Sequence, residues 1–285
     1  MAEHHRQERT AGRRQGIRWR ARQVREVLQP QFRAMSGIAA KLARARATSQ
    51  PLALSDDDGT VHEVVDAYRV HDALAATQGA VQGWKVSALV PEQQRLYATD
   101  RPVAGPLFAP FFHHTLARMA LNAFIVPLLE CEIAFLLGRD LPPRAVLYAR
   151  AEIEAAIEAI VPAMEIADGR WPAEARDLLK LADDMGNGAF VAGAPVYGWR
   201  DIDLRGRDVV LRLNGLEIGR GPCAKVLGDP LRGVVALANA QPLPAGGLRR
   251  GQIVTTGTCT VPLPLKAGDY VADFGDLGRV ALTVG

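Results

Sequence analysis

Three glutamates stand inside stretches of sequence that are otherwise almost entirely apolar. Glu130 and Glu132 interrupt the run VPLLECEIAFLL (126–137), and Glu165 interrupts the run IVPAMEI (160–166). Burying an unpaired carboxylate costs several kcal/mol, so acids inside such runs need a partner. A fold that buries both stretches must therefore place a compensating positive charge beside the three acids.

The two runs are continuous and apolar, which is typical of buried strands. In a strand, residues i and i+2 point to the same face, so Glu130 and Glu132 would lie roughly 7 Å apart and repel each other. With Glu165 they form an oxygen-rich site that suits Mg²⁺ or Mn²⁺, whereas Zn²⁺ usually takes nitrogen or sulfur ligands. The alternative is structural: an exposed strand edge with solvated acids, or ion pairs to Arg139 and Arg170.

Two other side chains near these motifs are candidates for chemistry. Lys85 lies in the short apolar stretch GWKVSA (83–88), where a lone lysine is usually a surface residue whose ammonium group reaches water. Beside a substrate enolate it could instead hold a carboxylate or stabilise developing negative charge. Cys131 lies between the two glutamates and would point to the opposite face, which favours a place in the core.

Charge is distributed unevenly along the chain. Residues 1–34 hold nine arginines against three glutamates, whereas residues 35–285 hold 25 basic and 28 acidic residues. We interpret residues 1–34 as a non-native extension that ends before Met35, a solvated and disordered basic tail, or a targeting or nucleic-acid-binding arm. The mildly acidic remainder gives no reason to expect a nucleic-acid partner, and no apolar run is long enough to span a membrane. Three scattered cysteines without a CxxC motif fit a reducing cytoplasm.

Hydrophobic periodicity predicts a helix-rich region over residues 35–110 and a β-rich, metal-binding region over residues 111–285. In the first half the predicted elements are a helix over His62–Thr77, a strand over Val81–Leu89, an ordered proline-rich loop over residues 100–112, a strand over Ile125–Leu137, a helix opened by Pro142 and Pro143 that continues through Glu158, a strand over Ile160–Ile166 and a helix over Trp171–Asp184.

The period then shifts towards two, which is typical of short strands joined by turns. Asn214-Gly215 between two such strands predicts a type I′ hairpin, because both positions of that turn require positive φ. The other predicted elements are a helix over Asp229–Ala240 with Asp229 as its N-cap, and strands over Gly251–Gly257, Asp269–Phe274 and Arg279–Val284.

Several separate motifs occur in an order that resembles a known family. They are GWKVSA (83–88), GPLF (105–108), ECEIAFLLGRDLP (130–142), VPAMEIADGR (161–170), ADDMGNGAFVAG (182–193), LNGLEIGRGPCAKVLGDPL (213–231), RRGQIVTTGTCTVPLPLKAGDYV (249–271) and LGRVALTV (277–284). Residues 36–284 resemble the fumarylacetoacetate hydrolase superfamily, and more closely its 2-keto-4-pentenoate hydratase and 4-oxalocrotonate decarboxylase branch. The resemblance implies an α+β fold, a mixed β-sandwich roll with a helical N-terminal region, and a homo-oligomer.

The resemblance also implies roles for particular residues. Glu130, Glu132 and Glu165 match the Mg²⁺ or Mn²⁺ ligands of the family, and Lys85 matches its active-site lysine. We also predict that Lys85 and Arg170 bind the substrate.

Three positions depart from the family pattern. The closing glycine of its GxKxG stretch is Ser87 here, and a usual asparagine is Asp184. The aspartate that transfers a proton in the family is replaced by Val103, so Asp100, three residues upstream, is the predicted catalytic substitute.

The function that the resemblance implies is hydration of 2-hydroxypenta-2,4-dienoate, a small 2-oxo acid in its enol form, to 4-hydroxy-2-oxopentanoate in the breakdown of aromatic compounds. Decarboxylation of 2-oxo-3-enedioates such as 4-oxalocrotonate and hydrolytic cleavage of acylpyruvates would use the same site. A non-catalytic metal-binding homologue is an alternative of another class, which Val103 and Ser87 favour. We expect a cytoplasmic protein with no nucleic-acid or membrane partner.

Overall fold

The computed structural model describes residues 37–55 and 60–285, so the basic leader and Met35 lie outside the described residues. The helices of the described part are α1 (Gly37–Thr48), α2 (Val64–Gln78), α3 (Pro91–Leu96), α4 (Arg150–Ala156), α5 (Asp177–Ala182) and α6 (Leu231–Ala238). Its strands are β1 (Val81–Ser87), β2 (Val103–Phe108), β3 (Phe112–His114), β4 (Ala117–Met119), β5 (Leu128–Leu137), β6 (Ile157–Ala167), β7 (Asn187–Ala192), β8 (Asp208–Leu213), β9 (Leu216–Pro222), β10 (Ile253–Thr258), β11 (Leu263–Pro264), β12 (Gly268–Asp273) and β13 (Arg279–Val284).

The strands form two mixed sheets. The larger sheet has the order β2-β1-β10-β5-β6-β7-β3, with β11 beside β5, and the smaller sheet has the order β4-β13-β12-β8-β9. Pairing is parallel between β1 and β10, between β3 and β7, and between β4 and β13, and antiparallel elsewhere. The architecture is therefore α+β, as the sequence predicts. None of the helices in the two described segments is long and apolar enough to cross a membrane.

The two apolar runs that carry the glutamates pair with each other near the middle of the larger sheet. Strand β5 is antiparallel to β6 along nearly its whole length, with Cys131 opposite Met164 and Glu130 opposite Glu165. Cys131 and Met164 belong to the main hydrophobic core, which covers one face of this strand pair. The glutamates occupy the other face, where Ala134 and other apolar residues form a smaller buried cluster. Strand β5 lies between β10 and β6, and β6 lies between β5 and β7, so neither strand has an exposed edge.

The prediction of a loop over residues 100–112 is wrong for its centre, because Val103–Phe108 forms β2. The prolines and glycine that suggested a loop are tolerated because β2 is an edge strand of the sheet, where Pro106 need not donate to a second neighbour. Gly105 is required by close packing: a Cβ atom there would lie 2.5 Å from the carbonyl oxygen of Asp184.

Two predicted helices are shorter in the structure than in the prediction. Pro142 and Pro143 do not open a helix; α4 begins only at Arg150, and Ile157 already belongs to β6, opposite Leu137. The apolar residues at helical spacing before Glu158 are also compatible with a strand over the last part of that segment. Pairing with β5 makes that part a strand, which begins at Ile157. In the segment Trp171–Asp184 only α5 is helical.

The remaining predicted helices and strands each have a counterpart in the structure, with ends that differ by up to three residues. Asn214 and Gly215 have φ of 50° and 83°, as the type I′ turn requires. The prediction of Asp229 as N-cap is wrong, because α6 begins at Leu231 with Pro230 as its N-cap. The Asp229 carboxylate still accepts a hydrogen bond from the backbone N–H of Leu231 at 3.1 Å.

Helices α1, α2 and α5 pack together over β2 through a second hydrophobic cluster that includes Leu42, Leu74, Val103 and Leu179. His71 of α2 is fully buried in this layer, and its Nε2 lies 2.7 Å from the carbonyl oxygen of Leu181 in α5. Burial lowers the pKa of His71 from 6.5 to about 4, against the opposing effects of this hydrogen bond and of Asp72. The buried ring is therefore neutral near neutral pH.

This histidine makes stability depend on pH. The unfolded chain takes up the proton near pH 6.5 and the folded chain only near pH 4, so His71 alone removes about 3 kcal/mol of stability as the pH falls through that window. In His71→Gln, which keeps an N–H donor but does not titrate, we expect a smaller loss of unfolding free energy between pH 7 and pH 4, measured by urea denaturation. The control is His62→Gln, at an exposed position. Parallel pH curves for wild type and His71→Gln would contradict the assignment.

Candidate metal centre

Three carboxylates converge on one face of the β5–β6 pair. Glu130 stands directly opposite Glu165, and Glu132 follows on the same face of β5. Each offers an oxygen atom, and these three atoms lie within 4.8 Å of one another. Glu132 and Glu165 are completely buried, whereas Glu130 is partly exposed. The arrangement brings like charges together in a medium that screens them poorly.

Each buried glutamate has one oxygen bonded to protein donors and one oxygen without a partner. Oε1 of Glu165 accepts from Lys85 Nζ at 2.6 Å and from Asn187 Nδ2 at 3.3 Å. Oε2 of Glu132 accepts from the Thr255 hydroxyl and from the backbone N–H of Gly257. Among the described residues, Glu132 Oε1 and Glu165 Oε2 have no hydrogen-bond partner although both atoms are buried. Buried acceptors in this state fit a hard divalent cation that takes oxygen ligands.

The pKa shifts of the residues in the cluster also favour a bound cation. Burial, and then the charges of Glu165 and Glu130, raise the pKa of Glu132 well above its usual value. Burial likewise raises the pKa of Glu130, although Lys85 acts against it. Burial alone would lower the pKa of Lys85, but the surrounding carboxylates outweigh burial and raise it. One ammonium group therefore faces three carboxylates, and a bound divalent cation would correct this deficit of positive charge.

Four neighbouring strands of the larger sheet hold these groups in place. Lys85 of β1 stands opposite Thr255 of the parallel strand β10, and Thr255 stands opposite Ala134 of β5. The structure thus adds Thr255 and Asn187 to the residues that sequence reasoning selected. Both lie inside motifs that carry the family resemblance, but neither residue stands at a spacing in the sequence that is typical of a metal site.

The prediction that Arg170 binds substrate is wrong in this structure. Its side chain is 2% exposed, and Nε donates to the carboxylate of Asp183 at 2.5 Å. Its other nitrogens donate to the backbone oxygens of Asp168, Asn187 and Asp183 at 2.7–2.8 Å. With its donors bonded to the protein, Arg170 has a structural role. The structural alternative for the glutamates fails too, because their cation partner is Lys85 rather than Arg170, and Arg139 is exposed beyond the end of β5.

The structure does not bring Asp100 into the cluster. Its side chain is 94% exposed, and its ion-pair partner in the described residues is the adjacent Arg101 at 3.7 Å. The two positions that depart from the family pattern beside Lys85 are cross-strand neighbours: Val103 of β2, which is buried, stands directly opposite Ser87 of β1. Burial raises the pKa of Tyr97, at the end of α3, and Lys85 and Ser87 act against that shift.

The chain is similar in sequence to known proteins over most of its length. A family model for the fumarylacetoacetate (FAA) hydrolase C-terminal region matches residues 118–285. The 2-keto-4-pentenoate hydratase of Burkholderia vietnamiensis is 32% identical over 257 residues, which are 87% of this chain and 97% of that protein. A 4-oxalocrotonate decarboxylase of a Pseudomonas species is 28% identical over 256 residues, 87% of this chain and 97% of that protein.

Among solved structures, the 4-oxalocrotonate decarboxylase from Pseudomonas putida G7, complexed with magnesium and adipate, has a TM-score of 0.74 to this chain. It is 23% identical, and the alignment covers 87% of this chain and 96% of that chain. The two proteins therefore share a fold.

The cluster predicts that a divalent cation stabilises the folded protein through Glu132. At 100 times its Kd, Mn²⁺ should add about 2.7 kcal/mol to the unfolding free energy of the wild type. Thermal melts should show this as a higher Tm for the wild type and no shift for Glu132→Gln. Because the raised pKa of Glu132 makes its charge unfavourable at pH 8, metal-free Glu132→Gln should melt above metal-free wild type there, and the gap should narrow towards pH 4.5.

Glu158→Gln, an exposed position on the same strand as Glu165, provides the matched control and should respond to Mn²⁺ like the wild type. An equal Mn²⁺ shift in Glu132→Gln, or no shift in the wild type, would refute the assignment of the cluster as a metal centre.

Proposed function

The chain belongs to the fumarylacetoacetate hydrolase family, and we propose that it is a metal-dependent hydratase that converts 2-hydroxypenta-2,4-dienoate to 4-hydroxy-2-oxopentanoate. The observation that carries this proposal is the pair of buried, unpartnered carboxylate oxygens on Glu132 and Glu165, beside Glu130 and Lys85. Its 2-keto-4-pentenoate hydratase relative aligns over nearly its whole length, so the likeness extends through the entire catalytic unit.

Glu130, Glu132 and Glu165 would hold Mg²⁺ or Mn²⁺, and the decarboxylase of the same fold is a magnesium complex. When bound, such an ion supplies a Lewis acid that stabilises negative charge on the oxygens of a 2-oxo acid. The unpartnered oxygens of Glu132 and Glu165 leave each of these groups one atom for the ion. The partly exposed Glu130 marks the side from which a substrate can approach.

Lys85 has two tasks in this proposal. Its side chain is 14% exposed and its Nζ bonds Glu165 at 2.6 Å, so it fixes that carboxylate. The neighbouring carboxylates raise its pKa, so it remains cationic at neutral pH. A fixed cation at this point would hold the substrate carboxylate and stabilise charge that develops on the enolate oxygen.

Hydration also requires proton transfer, because the dienol must accept a proton at its terminal carbon before water adds at C4. Ser87 lies on the same face of β1 as Lys85, and both residues act to lower the pKa of Tyr97. Burial, with a contribution from the charge of Asp177, raises the pKa of Tyr97, which keeps its phenol protonated. We propose that the proton passes through the Tyr97 Oη and Ser87 Oγ atoms, whereas Asp100 makes no contact with the cluster.

The proton path is tested by Tyr97→Phe, which keeps the ring and removes the hydroxyl group. General acid–base assistance is typically worth about 10²–10⁴-fold, so kcat for hydration should fall by about 10²-fold or more. The Mn²⁺ shift in Tm should stay as in the wild type. Tyr148→Phe is the control, because that hydroxyl bonds the carbonyl oxygen of Pro142 on the protein surface. Unchanged kcat in Tyr97→Phe would remove Tyr97 from the mechanism.

Decarboxylation of 4-oxalocrotonate is the second candidate function, and the charge of Lys225 favours it. Burial raises the pKa of Glu130, and the charge of Lys225 is among those that act against this shift, while Lys225 Nζ donates to the carbonyl oxygen of Thr260 at 2.6 Å. A cation beside the partly exposed ligand could pair with the second carboxylate of a dicarboxylic substrate, which the short hydratase substrate lacks.

A paired assay separates the candidates. With Mg²⁺ or Mn²⁺ present, we expect turnover of 2-hydroxypenta-2,4-dienoate and loss of that turnover in Glu130→Gln, measured by the decay of dienol absorbance. Faster turnover of 4-oxalocrotonate, reduced by Lys225→Met, would establish the decarboxylase instead. Turnover of acylpyruvates alone would indicate the hydrolase, and turnover of none of these substrates would support the non-catalytic homologue.

We also propose a mixed β-sandwich roll in which residues 35–110 form a helical N-terminal region and residues 111–285 a catalytic region, with residues 1–34 dispensable. Lys85 then belongs to the first region and the three glutamates to the second, so catalysis needs both. Three buried free cysteines support a cytoplasmic protein, and family membership supports a homo-oligomer that acts on a small 2-oxo acid without nucleic acid or membrane.

A further inference from the structure

We propose that Asn187 is a positioning residue for Glu165, and that Arg46 of helix α1 holds Asn187 in place, so that the N-terminal helix is part of the metal centre. This inference rests on the proposed function, because it assigns to Glu165 the role of a metal ligand.

The contact that carries the inference lies at the start of β7. Asn187 is buried, and its Nδ2 donates to Oε1 of Glu165 at 3.3 Å. Lys85 donates to the same oxygen from β1. Two donors on Oε1 restrict rotation of the carboxylate and leave Oε2, which is buried and has no partner in the described chain, directed away from them. Hydrogen bonds of this kind orient ligand atoms before a metal binds.

Two buried guanidinium groups hold the backbone of Asn187. Its carbonyl oxygen accepts from Arg46 Nη2 at 2.6 Å and from Arg170 Nη1 at 2.7 Å. Arg46 also donates to the carbonyl oxygen of Gly188 at 3.3 Å, so it bonds two consecutive residues of β7. The arginine side chains are 9% and 2% exposed, which makes their positions difficult to change independently of the backbone they bind.

Two aspartates balance these arginines. Arg170 pairs with Asp183, and Arg46 pairs with the carboxylate of Asp184 at 2.9 Å. These ion pairs offset the charges of the two arginines, and the hydrogen bonds of Arg46 and Arg170 to the Asn187 carbonyl oxygen are what the group contributes to geometry at β7. Arg46 lies outside the segment that the family model matches, residues 118–285, and its hydrogen bond to Asn187 is the contact that links it to Glu165 in the described part of the chain.

The experiment measures Mn²⁺ affinity of the purified full-length protein by electron paramagnetic resonance of free Mn²⁺, a readout that does not depend on turnover. In Asn187→Leu, which keeps the volume and removes the amide, we expect Kd for Mn²⁺ to rise about 10-fold or more, the usual effect of losing a hydrogen-bond partner of a ligand. Asn239→Leu is the matched control: it removes a partly buried amide that bonds the backbone of Tyr148 at 2.7 and 3.1 Å, outside the cluster. Its Kd should remain within twofold of the wild type.

Arg46→Lys tests the second step and provides a variant that keeps the charge if Asn187→Leu does not fold. Its Kd should rise in the same direction but less, and combining both substitutions should weaken Mn²⁺ binding no more than Asn187→Leu alone, because Arg46 acts through Asn187. Additive effects would overturn the assignment of Arg46.

An unchanged Kd in Asn187→Leu, or an equal rise in Asn239→Leu, would overturn the positioning role while leaving the proposed function intact. Absence of Mn²⁺ binding by the wild type would overturn the proposed function itself.

Discussion

The fold brings three carboxylates within 4.8 Å of one another, and in the described part of the chain Lys85 alone forms an ion pair with them. Glu132 and Glu165 are buried because their strands are apolar on both sides and lie inside the larger sheet. The hydrophobic burial of β5 and β6 outweighs the free-energy cost of the repulsion between their carboxylates. The protein supplies hydrogen bonds to half of the buried carboxylate oxygens and leaves the other half without partners, which is the condition that a cation would relieve.

The glutamates could be predicted from sequence because their signal is local. Carboxylates inside apolar runs are conspicuous, and the i, i+2 spacing of Glu130 and Glu132 on one strand face needs no tertiary information. Lys85 was a weaker inference, since a lysine in a short apolar stretch is usually at the surface, and the match to the family motif strengthened it. The type I′ hairpin at Asn214-Gly215 was similarly local, because few residues accept both positive φ values.

The errors come from tertiary context. Periodicity could not show that β2 is an edge strand that tolerates Pro106, or that pairing with β5 would convert the end of a helical pattern at Ile157 into β6. Arg170 follows Glu165 closely in the sequence, but its guanidinium group is bonded to Asp183 and to backbone oxygens. Asn187 and Thr255 act through contacts between strands that are far apart in sequence, and nothing in their neighbourhood along the chain marks them.

The parallel pairing of β1 with β10 has a consequence for synthesis. Lys85 lies on β1, and β10, which consists of residues 253–258, separates β1 from β5 in the sheet. Strand β1 therefore cannot join the sheet beside β10 until residues 253–258 have left the ribosome. The approach of the two strands is close, since a Cβ atom on Gly83 would lie 2.6 Å from the carbonyl oxygen of Ile253. Domains of this size that depend on long-range pairing fold late and as a unit. A nascent chain that has formed β5 and β6 would therefore bring the three carboxylates together before β10 allows Lys85 to reach them.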